Sequence, residues 1–165
     1  MEYRIRKMIK EDWKQVQFIY EAGIATGNAT FETQVAPYEK WVANAHPDCC
    51  LVAEDRDKVL GWCKVSSVSD RCVYTGVGEV SVYVHPDAKG KRIGSFLLGE
   101  LIKNSEEQGF WTLQSSIFPE NIPSLQLHKK HGFRELGRRE RIAKRNGVWR
   151  DTLILERRSK IIGVD

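Results

Sequence analysis

The sequence predicts an α/β protein of one domain, in which helices cover both faces of a mixed, mainly antiparallel sheet. Three observations support this prediction. The predicted elements follow the order β-α-α-β-β-β-α-β-α-β-β, a strand–turn–helix unit stands near the centre, and no repeat or low-complexity linker interrupts the chain. The 165 residues suffice for a sizeable core. Residues 1–158 are predicted to form the domain, and residues 159–165 a C-terminal tail.

The first half of the chain is predicted to contain two helices and three strands. The first helix is amphipathic, because Trp13, Val16 and Ile19 recur at helical spacing. Two strand-like runs joined by a charged turn indicate an antiparallel hairpin. The predicted elements are a strand at 2–8, a helix at 11–22, a polar loop at 23–30, a short helix that Pro37 begins, strands at 49–53 and 59–65, and an irregular segment at 66–78.

The second half is organised around a central strand at 79–84. β-Branched and aromatic residues fill this strand, and Pro86 ends it because proline removes a donor from the ladder. A basic turn at 89–95 leads directly into a helix that runs to Gln108. The remaining predicted elements are a strand at 111–115, a helix at 119–131, strands at 133–142 and 149–155 around the turn Asn146-Gly147, and a frayed, basic end from Glu156 onward.

The composition is typical of a soluble globular protein, with 41% hydrophobic and 29% charged residues. No apolar run reaches the roughly 18 residues of a membrane span, and the N-terminal residues lack a signal-peptide core. We therefore expect a cytoplasmic protein that does not contact a membrane. The net charge of +4 favours an anionic ligand but is too small to indicate nucleic acid.

The four cysteines form no Cys-x-x-Cys pair and have no histidines at the spacing of a metal site. They are Cys49, Cys50, Cys63 and Cys72. We expect reduced, mostly buried thiols, and neither disulfides nor a bound metal.

Six sequence pieces in a fixed order resemble the GNAT superfamily of acetyl-CoA-dependent N-acetyltransferases, and within it the phosphinothricin and methionine-sulfoximine acetyltransferase group. They are Ala29-Thr30-Phe31-Glu32-Thr33, Arg71-x-x-Tyr74, Glu79-x-Ser81-Val82-Tyr83-Val84, Glu107-Gln108-Gly109-Phe110, Leu127-His128-Lys129-Lys130-His131-Gly132-Phe133 and Gly147-Val148-Trp149-Arg150-Asp151. The resemblance implies the GNAT fold, acetyl-CoA as co-substrate, a small amino-acid-like acceptor and a homodimer.

The basic turn departs from the pyrophosphate-binding pattern of this family, which is usually Gln/Arg-x-x-Gly-x-Gly/Ala. Here the turn reads Lys89-Gly90-Lys91-Arg92-Ile93-Gly94, so that arginine replaces the first glycine. A glycine would let the backbone approach a phosphate closely. We therefore expect Arg92 to adopt a permitted backbone angle, with its side chain contacting phosphate instead. An ordinary basic turn is the alternative.

The resemblance assigns cofactor contacts to three parts of the chain. The central strand would offer backbone groups to the pantetheine arm, and the start of the following helix would hold the pyrophosphate through its free amides. The contacts would be made by Val82, Tyr83 and Val84, by Lys89, Gly90, Lys91, Arg92, Ile93, Gly94 and Ser95, and by Asn121, Ser124 and Lys130. The alternatives are a plain core strand, a helix-capping Asn121 and a solvated Lys130.

The resemblance also places two catalytic groups. Glu79 would act as general base, directly or through water, because an ammonium must lose a proton before its nitrogen can attack a thioester. Partial burial should then raise the pKa of Glu79. His128, one helical turn after Ser124, would protonate the departing thiolate. A solvated carboxylate and a structural histidine are the alternatives.

The acceptor side is assigned to Phe31, Arg71 and Tyr74. The guanidinium of Arg71 suits bidentate binding of a carboxylate, and the family implies that it acts across a dimer interface. A late basic cluster is better explained by a solvated face, or by attraction of the anionic cofactor, than by nucleic-acid binding. The cluster consists of Arg134, Arg138, Arg139, Arg141, Lys144, Arg145 and Arg150.

The sequence therefore predicts an N-acetyltransferase whose acceptors resemble phosphinothricin, methionine sulfoximine or methionine sulfone. Attack should be direct, within a ternary complex, because no cysteine stands in a recognisable nucleophile motif. Two alternatives remain open. One is acetylation of a protein N-terminus or lysine, and the other is a module that binds acetyl-CoA or nucleic acid without turnover.

Overall fold

A computed structural model describes residues 2–165, so that only Met1 of the predicted domain lies outside the described residues. The strands are β1 (Arg4–Lys7), β2 (Ala45–Asp55), β3 (Lys58–Ser67), β4 (Val77–Val84), β5 (Thr112–Ile117), β6 (Arg134–Arg145) and β7 (Val148–Arg158). The helices are α1 (Trp13–Ala25), α2 (Tyr38–Ala43), α3 (Ile93–Glu107) and α4 (Ile122–Lys130).

All seven strands belong to one sheet, in the order β1-β2-β3-β4-β5-β7-β6. Every neighbouring pair is antiparallel except β4 and β5, which are parallel. A parallel pair needs a crossover connection, and α3 provides it. The predicted mixed, mainly antiparallel sheet and the hairpin of β2 and β3 are confirmed.

Helices cover both faces of the sheet, as predicted. On one face, α3 places Leu97, Leu98 and Leu101 on the apolar side of the sheet, and all three side chains are fully buried. On the other face, Val16 of α1 and Trp41 of α2 pack in a second buried cluster that includes Trp62. Burial of these side chains supplies most of the driving force for folding. None of the described helices is long and apolar enough to cross a membrane.

The pairing between β4 and β5 stops halfway along the two strands. Only three residue pairs join them, and the last pair is Glu79 with Gln114. Both strands continue beyond it, to Val84 and to Ile117. The two strands therefore diverge after Glu79, and their backbone N–H and C=O groups no longer bond to each other across the opening.

Several predicted boundaries are wrong, including those of β2, which spans Ala45–Asp55 rather than 49–53, and the end of β6, which lies at Arg145 rather than at 142. α1 continues to Ala25, into the predicted loop at 23–30. α4 begins at Ile122 rather than at residue 119, because Asn121 caps it by accepting a hydrogen bond from the backbone N–H of Ser124 at 3.3 Å. β7 extends to Arg158, three residues beyond Leu155.

The prediction of a frayed end from Glu156 onward is also wrong. Arg158 donates hydrogen bonds to the carbonyl oxygens of Ile162 and Gly163, and Ser159 donates one of 2.6 Å to the Glu106 carboxylate at the end of α3. Ser159 is buried as a result. The polar composition of this segment suggested fraying, but its side chains bond back to the body of the protein.

Candidate active site

A large cleft occupies the opening between β4 and β5 and extends over the face of the sheet that carries Trp41 and Trp62. Fifteen of the predicted site residues line this cleft. They are Phe31, Glu79, Val82, Tyr83, Val84, Lys89, Gly90, Arg92, Ile93, Gly94, Ser95, Asn121, Ser124, His128 and Lys130. Three predicted residues, Arg71, Tyr74 and Lys91, are not among the residues that line it.

The turn before α3 contains two residues with positive φ angles, Gly90 and Arg92. Gly90 has φ +78°, and Arg92, which precedes the helix, has φ +65° in the left-handed region. Arg92 therefore occupies a conformation that glycine adopts more easily. Its guanidinium lies 5.7 Å from the centre of the Phe96 ring. Arg92 thus meets the expectation of a permitted backbone angle only in the left-handed region, which is uncommon for a residue other than glycine. The expected contact of its side chain with phosphate stays a prediction.

The start of α3 presents three backbone N–H groups to the cleft. The first helical bond runs from the Phe96 N–H to the Arg92 carbonyl at 3.1 Å, so that Ile93, Gly94 and Ser95 precede the hydrogen-bonded turn. A Cβ atom on Gly94 would lie 3.4 Å from side-chain carbons of Leu127 and Val84. The start of α3 is thus packed closely between α4 and the end of β4.

Hydrogen bonds from side chains stabilise the start of α4, through Asn121, and the first turn of α3, through Ser95. Asn121 caps α4 and donates a hydrogen bond of 3.1 Å to the carbonyl oxygen of Asn28. The Ser95 hydroxyl and Nε2 of His131 lie 2.9 Å apart. Lys130 is exposed. Both the capping role of Asn121 and its place in the cleft are therefore observed.

Glu79 is the last residue of β4 that pairs with β5, and it lies half-buried at the point where the cleft enters the sheet. Burial raises the pKa of its carboxyl, and the nearby Arg139 guanidinium opposes the shift. Glu79 is directly opposite Ser66 of β3, so that both side chains lie on the α1 and α2 face of the sheet. The raised pKa expected for a functional Glu79 is confirmed.

His128 is buried, and its ring packs edge-on against Phe133 with 5.1 Å between ring centres. Nδ1 lies 2.7 Å from the carbonyl oxygen of Ser124, which can only accept, so Nδ1 carries the hydrogen and Nε2 a lone pair. Nε2 is buried and has no partner among residues 2–165. Burial lowers the pKa of His128, and His131 acts in the same direction.

Arg71 and Tyr74 lie on the exposed connection between β3 and β4, where the guanidinium of Arg71 is 5.7 Å from the Tyr74 ring. Cys72–Tyr74 form one turn of 3-10 helix there. In the single chain neither residue lines the cleft that contains Glu79. Phe31, by contrast, reaches the cleft and packs edge-on against Phe118 at 4.8 Å between ring centres.

Two arginines of the late basic cluster hold the loop at 26–31, which the sequence did not indicate. Arg145 donates to the carbonyl oxygens of Ile24 and Thr30 at 2.8 and 3.1 Å. Arg150 donates to the Gly27 carbonyl and the Asn28 side chain, both at 2.9 Å. The interpretation of these two residues as part of a solvated face is wrong. The available signal was their position beside the turn Asn146-Gly147, at the tip of the hairpin of β6 and β7.

Lys64 is a residue of the cleft that the sequence reasoning missed. Its ammonium lies 4.3 Å from the centre of the Trp41 ring, and the residue is only 8% exposed. Burial lowers its pKa. Every second residue of a strand points to the same face of the sheet. Trp62, Lys64 and Ser66 of β3 therefore share the face that carries Glu79. A lysine in that alternating series was the available signal.

The fold and this cleft define an acetyltransferase. Residues 7–133 match the model of the acetyltransferase (GNAT) family, so the chain belongs to that family. The phosphinothricin N-acetyltransferase of Alcaligenes faecalis is 30% identical over 163 residues, which cover 93% of this chain and 81% of that protein. The L-methionine sulfoximine/L-methionine sulfone acetyltransferase of Pseudomonas paraeruginosa (strain DSM 24068 / PA7) is 32% identical over 107 residues, covering 64% of this chain and 62% of that protein.

A solved structure agrees with these relatives. A phosphinothricin acetyltransferase of the GNAT superfamily from Sinorhizobium meliloti, in complex with AcCoA, superposes with a TM-score of 0.84 and is 26% identical. The match covers 100% of this chain and 97% of that one. The predicted GNAT fold, the acetyltransferase class and the resemblance to the phosphinothricin and methionine-sulfoximine group are confirmed.

Proposed function

We propose that this acetyltransferase transfers an acetyl group from acetyl-CoA to the α-amino group of a small amino-acid-like acceptor. Phosphinothricin, methionine sulfoximine and methionine sulfone represent the acceptor class, and their acetylation would serve detoxification. One observation carries the proposal: a half-buried carboxylate, Glu79, stands where the β4–β5 opening meets the aromatic face of the sheet. The relatives' activities agree with it.

The residues around the opening fit acetyl-CoA. The unpaired edge of β4 at Val82 and Val84 offers backbone groups to the amides of a pantetheine arm, and the free N–H groups of Ile93, Gly94 and Ser95 suit a pyrophosphate. Positive charge from Lys89, Arg92 and Lys130 lies along the same cleft. The cofactor supplies an acetyl thioester, which an amine can attack directly.

Glu79 is proposed to remove the proton from the acceptor's ammonium, directly or through one water. A carboxyl must be ionised to accept a proton, and it works best as a base when its pKa lies close to the working pH. Burial moves the pKa of Glu79 upward, in that direction. The acceptor's amine would therefore lie near Glu79, on the face shared with Ser66 and Lys64.

His128 is the proposed acid that protonates the departing CoA thiolate, and it can do so only through Nε2. Since Nδ1–H is engaged with the Ser124 carbonyl, proton donation must come from Nε2 after that atom has gained a proton. The lowered pKa of His128 works against this step at neutral pH. Retention of full turnover by His128→Ala would remove His128 from the mechanism and leave a structural role against Phe133.

A homodimer would bring a second copy's Arg71 and Tyr74 towards the cleft. In the single chain both side chains are exposed and lie outside it. Sedimentation equilibrium measures the mass in solution. A monomeric mass would exclude this arrangement and leave the acceptor to the residues of one chain.

The first experiment measures CoA release from acetyl-CoA with phosphinothricin, methionine sulfoximine and methionine sulfone, beside spermidine and short peptides. We expect turnover with the amino-acid analogues alone. Turnover with peptides alone would contradict the proposal and favour protein acetylation. Binding of acetyl-CoA without turnover on any acceptor would instead indicate a non-catalytic module.

A further inference from the structure

Lys64 carries a charge that the protein itself leaves without an ionic partner. It is 8% exposed, it lines the cleft, and it forms no salt bridge with residues 2–165. The ammonium makes a cation–π contact with the Trp41 ring, whose centre lies 4.3 Å away. A desolvated charge is costly unless a counter-charge or hydrogen bonds compensate it. A cation in this position suits an anionic ligand.

The neighbours of Lys64 on β2, β3 and α2 are Cys50, Trp62 and Trp41, and none of these three side chains is acidic. Trp41 and Trp62 are 3% and 1% exposed, and neither indole N–H has an acceptor within residues 2–165. Cys50 is directly opposite Lys64 on β2, and burial raises the pKa of its thiol to about 11, so it remains neutral at pH 7. None of these three side chains therefore supplies a counter-charge for the Lys64 ammonium.

The position of Lys64 relative to Glu79 suits the length of an amino acid. Ser66 is opposite Glu79 and Lys64 is opposite Ser81, so Lys64 and Glu79 are diagonal neighbours across β3 and β4. Such pairs are about 7–8 Å apart. The ammonium of Lys64 lies over Trp41, which packs with Cys50 and Val52 of β2, on the side away from the β4–β5 opening.

We propose that Lys64 binds an acidic group on the side chain of the acceptor and so selects acceptors with an anionic side chain. The inference rests on the proposed function, in which the acceptor's amine lies at Glu79. The α-carboxylate is only one carbon from the attacking nitrogen, whereas a side-chain acid group several bonds away can reach the Lys64 ammonium. Phosphinothricin has such a group, a phosphinate, and methionine sulfone has a neutral sulfone in nearly the same place.

The test compares kcat/KM for phosphinothricin and for methionine sulfone in the wild-type enzyme and in Lys64→Met. Methionine keeps an unbranched side chain over Trp41 and removes the charge, so the variant is expected to fold. We expect kcat/KM for phosphinothricin to fall about 10- to 100-fold, the range for a lost charge-assisted hydrogen bond, mainly through KM. The value for methionine sulfone should change less than about threefold.

Lys103→Met is the matched control, because Lys103 is exposed on α3, on the opposite face of the sheet. It should leave both values unchanged. Equal losses for both acceptors in Lys64→Met would overturn the inference and assign the ammonium to the shared α-carboxylate. Unchanged values for both would also overturn it. Each outcome presupposes wild-type turnover, whose absence would instead refute the proposed function.

Discussion

The environment of each ionisable residue in the cleft decides which chemistry that residue can perform. Glu79 and Lys64 share one face of the sheet, and burial raises the pKa of the carboxyl while it lowers that of the ammonium. Both shifts favour the uncharged form. Burial therefore disfavours the charged form of both groups, which is typical of functional positions.

Replacement of Glu79 by glutamine should change the pH dependence of catalysis. In the wild-type enzyme, kcat/KM is expected to rise with pH as Glu79 ionises, at a pH above the ordinary value of 4.5. Glu79→Gln should lose this rise, and its kcat at pH 7 should fall about 100-fold or more, within the usual range for a general base. The measurement is the pH–rate profile of both proteins with one acceptor. An unchanged profile would exclude Glu79 as the base.

Glu79→Gln should stabilise the fold at pH 7, although it lowers activity. A carboxyl whose folded pKa is raised favours its protonated form, so its ionisation destabilises the fold progressively as pH rises above 4.5. Glu79→Gln should therefore unfold at a higher temperature than wild type at pH 7, and the difference should vanish near pH 4. This readout also shows that lost activity in the variant does not come from misfolding.

The sequence identified Glu79 and the turn at 89–95 because their neighbours form an ordered local motif. It did not identify Lys64, because a single lysine in a strand is a weak signal that does not show whether the side chain is buried. Its burial becomes evident only when Trp41, from a distant helix, covers it. For Arg71 and Tyr74 the opposite holds. They form a local sequence motif, but neither lines the cleft of the single chain.

At the scale of elements, most strands and helices could be predicted from periodicity, but the opening between β4 and β5 could not. Both strands have the composition of continuous, buried strands, and nothing in Ser115, Ser116 or Ile117 indicates that their pairing with β4 has ended. Where two strands separate depends on how each packs against the elements around it. That is a tertiary property, and local sequence does not encode it.

The hairpin of β6 and β7 acts as a support for the loop at 26–31. Arg150 is the main contact, since it bonds to Gly27 and Asn28 and its guanidinium lies 4.1 Å from the Phe118 ring. Phe118 in turn packs against Phe31 in the cleft. The loop position, and through it the position of Phe31 in the cleft, therefore depends on a residue of a distant hairpin.

Arg150→Ala should loosen this loop. The free energy of unfolding should fall by about 2 kcal/mol, since charge-assisted hydrogen bonds are lost, among them a part-buried one to Gly27 and an exposed one to Asn28. If Phe31 of this loop contacts the acceptor, as proposed, the KM for the acceptor should rise more than the KM for acetyl-CoA. Amide hydrogen exchange at 26–31 reports the loosening directly.

Arg134→Ala is the control for this prediction. Arg134 also lies on the hairpin, but it pairs with Glu156 at the surface with 70% of its side chain exposed. It should lose no more than about 1 kcal/mol of stability and leave exchange in the loop unchanged. If Arg150→Ala and Arg134→Ala behaved alike, the loop would not depend on Arg150.

At the scale of the whole molecule, a buried ionic network joins the first strand, the entry to α1 and the hairpin of β2 and β3. Arg6 donates to both oxygens of Asp12 at 2.8 Å and to Glu54 at 2.6 Å. Asp12 and Glu54 are 5% and 7% exposed. Sequence alone did not reveal this network, because Glu54 lies 48 residues from Arg6 and comes near it only when β1 pairs with β2.

This network should determine the response of the fold to acid. The Arg6 guanidinium, with help from Arg4, lowers the pKa of Glu54 from 4.5 to about 2. Burial raises the pKa of Asp12, but its hydrogen bonds, chiefly those from Arg6, together outweigh this effect and lower it. Depressed carboxyl pKa values give stability that is complete above about pH 4.5 and is lost as pH falls towards about 2. Arg6→Met should leave two buried carboxylates short of a partner and cost about 3 kcal/mol at pH 7.

Urea unfolding at pH 7, 4.5 and 3 measures this effect. The deficit of Arg6→Met relative to wild type should shrink as pH falls, because protonation relieves the unpaired carboxylates in the variant while it weakens the network in wild type. Lys7→Met is the matched control, since it removes a neighbouring cation whose pair with Asp48 is exposed on both sides. Its cost should stay within about 1 kcal/mol at every pH. A deficit of Arg6→Met that did not depend on pH would assign the stabilising effect of Arg6 to packing rather than to charge.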